Sequence, residues 1–101
     1  MFYSEIDIAK NKHEASVINQ DGKELSKSIS FAKSKEGCEK LLLLFNQFKI
    51  DKKDVLIGME ATGHYWLAVY EFLSVNGFNV KVINPIQSEA FRSTYVKAKM
   101  I

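Results

Sequence analysis

Apolar and polar positions alternate with a period of two over residues 2–8, Phe-Tyr-Ser-Glu-Ile-Asp-Ile, with Ile6 and Ile8 on one face and Asp7 on the other. This pattern predicts a first strand. Residues 13–19 alternate less cleanly but hold Val17-Ile18, and the Asp21-Gly22 pair after them is a strong turn signal. A third strand is predicted over residues 24–31, where Leu25, Ile29 and Phe31 are separated by Ser and Lys. The three make an antiparallel meander whose later strands have one wet face.

The period then changes. Cys38, Leu41, Leu42, Phe45 and Phe48 fall at i, i+3, i+4, i+7 and i+10, one stripe of a helix over residues 35–48. Ser34 is its candidate N-cap, with Glu36 and Glu39 near the positive end. Asp51-Lys52-Lys53-Asp54 ends that element. Val55-Leu56-Ile57-Gly58-Met59 is a continuous apolar run, as a strand covered on both faces requires. Glu60-Ala61-Thr62-Gly63-His64 reads as a strand-to-helix loop with Thr62 a candidate cap. Tyr65, Val69, Phe72 and Leu73 then define a helix over 65–76, stopped by Asn76-Gly77. Phe78, Val80, Val82 and Ile83 make the last strand, broken by Asn84-Pro85. A third helix with a basic end is predicted over 86–96.

The order β-β-β-α-β-α-β-α predicts an α/β fold with a five-stranded mixed sheet ordered 3-2-1-4-5. Strands two and three run against the rest where the meander requires, and the strands after each helix return parallel to the first. Ribonuclease-H-like and actin-like domains share that order, which by itself assigns no function.

Composition narrows the classes. The chain of 101 residues is 47% hydrophobic and carries only 5 Gly and 1 Pro, so it can bury a core and is not a disordered or collagen-like chain. Its formal net charge of +2 is too small for a polybasic architectural protein. Arg92 is the one arginine among 14 basic residues, which argues against bidentate base readout by an arginine cluster. Cys38 is the one cysteine, so there is no internal disulfide and no cysteine-based zinc site. The sequence shows no signal peptide and no apolar run near the ~20 residues of a membrane span, so a soluble, cytoplasmic protein is expected.

Two carboxylates stand out. Asp7 interrupts an apolar strand, and Glu60 sits at the carboxyl end of the second apolar strand. If those strands are parallel neighbours, the two face each other across one strand spacing of ~5 Å. Carboxylates that close repel unless a cation or proton joins them, and hard oxygen ligands favour Mg²⁺ or Mn²⁺ over zinc. The blander alternative makes Asp7 a strand residue near a turn and Glu60 a charge at a helix N-terminus. Other residues have plain readings of the same kind. His13 and His64 read as hydrogen-bonding surface or loop residues, Tyr65-Trp66 as packing and Cys38 as a buried thiol. Lys10 and Lys12 sit beside the Asp7 strand, where they could meet a phosphate. Thr62, at a helix start, could present backbone N–H groups to an anion.

Ile6-Asp7-Ile8-Ala9-Lys10 with His13, then Asp21-Gly22-Lys23, resembles the opening of the DEDD-type insertion-sequence transposases. Glu36-Gly37 before a Leu-rich helix, Gly58-Met59-Glu60-Ala61-Thr62-Gly63-His64-Tyr65-Trp66 and Val82-Ile83-Asn84-Pro85 resemble the same family. The Glu-Ala-Thr-Gly-His-Tyr string is the most specific of these, and the resemblance covers essentially the whole chain. It implies the N-terminal, RuvC-like half of a transposase in a family described as RNA-guided recombinases. By that resemblance Asp7 and Glu60 are the first two acidic residues of the tetrad and ligands of Mg²⁺ or Mn²⁺. DNA, a guide RNA, a C-terminal transposase domain and further copies of the chain are the implied partners. The family pattern next expects Lys-x-Asp-x-x-Asp, which Phe91 to Lys99 approaches, yet no acidic residue follows Glu89. Residues 1–101 are therefore expected to be one domain ending before the last two acidic residues, and inactive alone.

Two alternatives stand beside this reading. A non-catalytic nucleic-acid-binding module of the same fold would use Lys10, Lys12, Arg92, Lys97 and Lys99, with affinity falling as salt rises. An actin-like nucleotide-binding lobe would want glycines in its first hairpin, where Ala9-Lys10-Asn11-Lys12 has none.

Overall fold

The structure, a computed structural model, describes residues 1–60 and 65–83. Strands β1 (Phe2–Asp7), β2 (Lys12–Ile18), β3 (Glu24–Ala32), β4 (Val55–Glu60) and β5 (Asn79–Ile83) form one sheet ordered β3-β2-β1-β4-β5. Helix α1 (Lys35–Gln47) links β3 to β4, and α2 (Leu67–Val75) links β4 to β5. Sheet order and the parallel return after each helix agree with the sequence pattern. Among the first three strands, β2 alone runs against β1, because a meander of two turns restores the original direction in β3. The predicted third helix, Asn84-Pro85 and the loop of residues 61–64 lie outside the described residues. No described helix is long and apolar enough to cross a membrane.

Pleating assigns each strand residue to a face. Ile6 lies opposite Ala15 on β2 and beside Met59 on β4, and all three are buried in the cluster that takes in Leu41 and Phe45 of α1 and Val69 and Leu73 of α2. Both helices therefore cover one face. Ser4, buried on that face, is satisfied by donating from Oγ to the Ser16 carbonyl at 2.9 Å. Cys38 is part of this core, as its place on the stripe implies, and burial pushes its thiol pKa up.

Local chemistry sets the ends of the helices. The Ser34 hydroxyl accepts from the Gly37 N–H at 3.0 Å and caps α1. At Gly37 the first turn lies so close to the end of β3 that a Cβ would overlap the Ala32 carbonyl oxygen, so the position needs glycine. The second helix starts later than its apolar pattern indicates. Tyr65 and Trp66 pack against the core from a turn, and Trp66 is an N-cap without a side-chain hydrogen bond.

Both helices end alike. Lys49 and Ile50 donate to the carbonyls of Asn46 and Phe45, while Gly77 and Phe78 donate to those of Ser74 and Leu73. This is the paired hydrogen-bond closure that needs a left-handed residue just past the helix. Gly77 meets the need with φ +88°, whereas Lys49 does so at φ 57° with a side chain. Lys49→Gly is expected to raise stability by about 0.5–1 kcal/mol in urea unfolding, since a Cβ is unfavourable in that region. Gly37→Ala is expected to lower it by about 1–3 kcal/mol through the Ala32 overlap. A neutral result at Gly37 would contradict the packing described.

Candidate functional site

Asp7 and Glu60 are the last residues of β1 and β4, and the parallel register pairs them directly. Their neighbours Ile6 and Met59 point into the core, so alternation turns both carboxylates to the face opposite α1 and α2. Asp7 is exposed and Glu60 half-buried. With adjacent strands about 4.8 Å apart, the two are side by side at one end of the sheet. A slip of one residue would have placed one of them in the core.

Register adds a residue that the sequence pattern left unmarked. Glu14 on β2 lies opposite Asp7, making Glu14, Asp7 and Glu60 one row across three strands. Its carboxylate accepts from Ser28 Oγ at 3.4 Å, toward β3 and away from Glu60. A cleft of about 220 Å³ on this side is lined by Glu5, Asp7, Glu14, Ser16, Glu24 and Ser28. Among the described residues no three or more His, Cys, Asp or Glu come together closely enough to hold a metal ion. The donor set therefore fits a hard divalent cation in part: Asp7 and Glu60 offer oxygen ligands, and the rest of the shell is left to water or other groups.

The sequence-derived cations divide. Lys10 and Lys12 are exposed in and beside the turn that joins β1 to β2, near Asp7. That turn is tied to the end of β3, where the Lys33 N–H donates to the Asn11 carbonyl at 3.3 Å. Exposed Lys33 and Lys35 thereby join the same edge, a pairing visible only through strand order. The Lys33 ammonium stands 5.1 Å from the centroid of the Tyr65 ring. Thr62, His64, Arg92, Lys97 and Lys99 lie outside the described residues.

His13 is not the surface or loop residue that an isolated histidine suggests. It is fully buried, with its ring edge-on to Phe31 at a centroid distance of 5.4 Å. Nδ1 accepts from the Ala9 N–H at 3.2 Å. Burial lowers its pKa, nearby Lys33 pushes the same way, and Asp7 opposes them. A folded pKa below the unfolded value of about 6.5 means that the unfolded chain takes up the proton first. The stability held by the neutral ring is complete above about pH 6.5 and is lost as pH falls through the folded pKa.

A family model described as "Transposase", DEDD_Tnp_IS110, matches residues 6–99. No curated protein sequence matches the chain. RuvC of T. thermophilus, solved in complex with a Holliday junction substrate, is similar at a TM-score of 0.60 and 11% identity, over 99% of this chain and 78% of that one. A Bacteroides thetaiotaomicron protein with an actin-like ATPase fold and unknown function is similar at a TM-score of 0.67 and 14% identity. That match covers 91% of this chain, which spans 37% of the other. At such identities the likeness is one of fold, and it bears out the ribonuclease-H-like, mixed five-stranded architecture.

Urea midpoints compared between His13 and His13→Asn chains should diverge on acidification from about pH 7 to about pH 5, the wild type losing more. Parallel curves would contradict the burial of a neutral imidazole.

Proposed function

The chain belongs to the DEDD transposase family of the IS110 type, and from that membership together with the pairing of Asp7 and Glu60 we propose that it is the RuvC-like, N-terminal catalytic-type domain of a DNA transposase. In this reading residues 1–101 are one domain that supplies part of a divalent-metal site for DNA strand cleavage and exchange. The observation that carries it is the register of two acidic residues at the carboxyl ends of adjacent parallel strands.

Asp7 and Glu60 would hold Mg²⁺ or Mn²⁺. When bound, such an ion neutralises the two carboxylates and stabilises charge developing on a phosphate oxygen. The two carboxylates would hold the ion on the sheet face opposite α1 and α2. Lys10 and Lys12, with Lys33 and Lys35 beside them, meet the flanking phosphates as point charges, so binding weakens with salt. Arg92, Lys97 and Lys99, as basic side chains, and Thr62, at a helix start, are proposed to contact nucleic acid as well. The RuvC structure holds a Holliday junction, which supports DNA as the partner. A guide RNA, a C-terminal transposase domain, self-association and a cytoplasmic location complete the proposal.

A second reading, a non-catalytic nucleic-acid-binding module, draws on a specific fact. Among the described residues no third ligand joins Asp7 and Glu60. Both readings expect the 101-residue chain to leave DNA uncut by itself, because fixing metal ions takes more ligands and the reaction needs a positioned nucleophile.

Titration with Mn²⁺, followed by paramagnetic broadening of backbone amides, separates the two. The transposase reading expects broadening centred on Asp7 and Glu60 at roughly millimolar metal, since two carboxylates leave most of the shell to water. Asp7→Asn and Glu60→Gln should each abolish it. Broadening confined to other acidic positions would leave the binding-module reading. Mn²⁺-dependent DNA cleavage by the chain alone, lost in Asp7→Asn, would show that the site is more complete than described.

A further inference from the structure

The backbone just past Asp7 is held by one side chain from the next strand. β1 ends at Asp7 and the chain returns as β2 at Lys12. Within that turn the Ala9 N–H donates to Nδ1 of His13 at 3.2 Å. His13 lies at the start of β2, fully buried, one position before Glu14, the residue opposite Asp7. The imidazole is an unfavourable choice for packing alone. With Nδ1 accepting, a neutral ring carries its proton on Nε2, and among the described residues the buried Nε2 has no hydrogen-bond partner. A buried N–H left unmade costs free energy that an apolar ring of similar size would not. The compensating feature in the structure is the acceptor that Nδ1 offers to Ala9.

We propose that His13 is a positioning residue for Asp7: by accepting the Ala9 N–H it fixes the backbone leaving β1, so that the Asp7 carboxylate stays beside Glu60. Ile8, between Asp7 and Ala9, is buried in the core and anchors the same segment from the helix-covered face. Two constraints, one apolar and one polar, thus hold the two residues that follow Asp7. The exposed Lys10 and Asn11 carry the remainder of the turn. The proposal rests on the reading of Asp7 and Glu60 as metal ligands, and it adds a residue of the core face to a site on the opposite face.

The test uses the 101-residue chain with Mn²⁺ alone as the probe. His13→Phe and His13→Leu keep an apolar side chain in the core but remove the acceptor, whereas His13→Asn retains an acceptor oxygen near the position of Nδ1. Hydrogen exchange at the Ala9 amide reads the clamp directly. It should quicken roughly fivefold to tenfold in the first two variants and stay near wild type in His13→Asn. Mn²⁺ affinity, read by broadening at Asp7 and Glu60, should weaken by a similar factor in His13→Phe and His13→Leu and recover in His13→Asn. If the apolar variants do not fold, a His13→Asn chain that folds and binds Mn²⁺ like wild type supports the role, and one that folds but binds as weakly as Asp7→Asn overturns it. Quickened Ala9 exchange with unchanged affinity overturns the positioning role and leaves the metal reading intact. A wild-type chain silent toward Mn²⁺ at Asp7 and Glu60, with the Ala9 clamp present, removes the metal reading and with it the role assigned to His13.

Discussion

The parallel pairing of β1 with β4 is the constraint on which the rest of the molecule depends. Six consecutive residues of each strand pair without a bulge, from Phe2 beside Val55 to Asp7 beside Glu60. Hydrophobic burial enforces that register, because Ile6, Ile57 and Met59 are fully buried on the helix-covered face. Slipping one strand by a residue would move its apolar set to the other face and drive Asp7 or Glu60 into the core. The acidic pair thus follows from the same burial that makes the sheet, and no separate device is needed to bring it together.

From this pairing the sheet acquires two different faces. One carries α1 and α2 and the continuous core from Ile8 to Leu73. The other presents Glu14, Asp7 and Glu60 in a row, with lysines on the turn and loop at the same end. The two helices reach their strands through matching closures at Lys49-Ile50 and Gly77-Phe78, and the side chains of Phe45 and Phe78 meet at a centroid distance of 5.5 Å. Asp7, Glu14 and Glu60 thus sit on strands rather than on long loops.

The strand and helix pattern was legible because the changes of period are clean. The switch from two to 3.6 at Ser34, and the apolar run at Val55, place α1 and β4 within a residue or two. Asp7 and Glu60 were legible because a charge inside or just after an apolar strand is conspicuous. The apolar pattern starts α2 two residues early, because Tyr65 and Trp66 pack on the core while still in a turn, which periodicity cannot distinguish from helix. An isolated histidine suggests an exposed position, whereas His13 packs edge-on against Phe31, eighteen residues later in the chain, and accepts a hydrogen bond from Ala9, neither of which has a local sequence signal. Glu14, Lys33 and Lys35 carry no local signal. Their proximity to the Asp7 turn comes from the β2–β1 register and from the Lys33 to Asn11 hydrogen bond.

The central claim, that register alone sets Asp7 beside Glu60 on the face opposite α1 and α2, is open to direct measurement by disulfide trapping. In a Cys38→Ala background, Asp7→Cys is combined either with Glu60→Cys or with Met59→Cys, and the rate of bridge formation on mild oxidation is compared. An in-register pair on adjacent strands falls inside the ~4.4–6.8 Å Cα separation that a disulfide spans, whereas Met59 points to the opposite face. Rapid bridging of Asp7→Cys with Glu60→Cys and none with Met59→Cys is the expected result. Preferential bridging to position 59 would place β1 and β4 in another register and contradict the account.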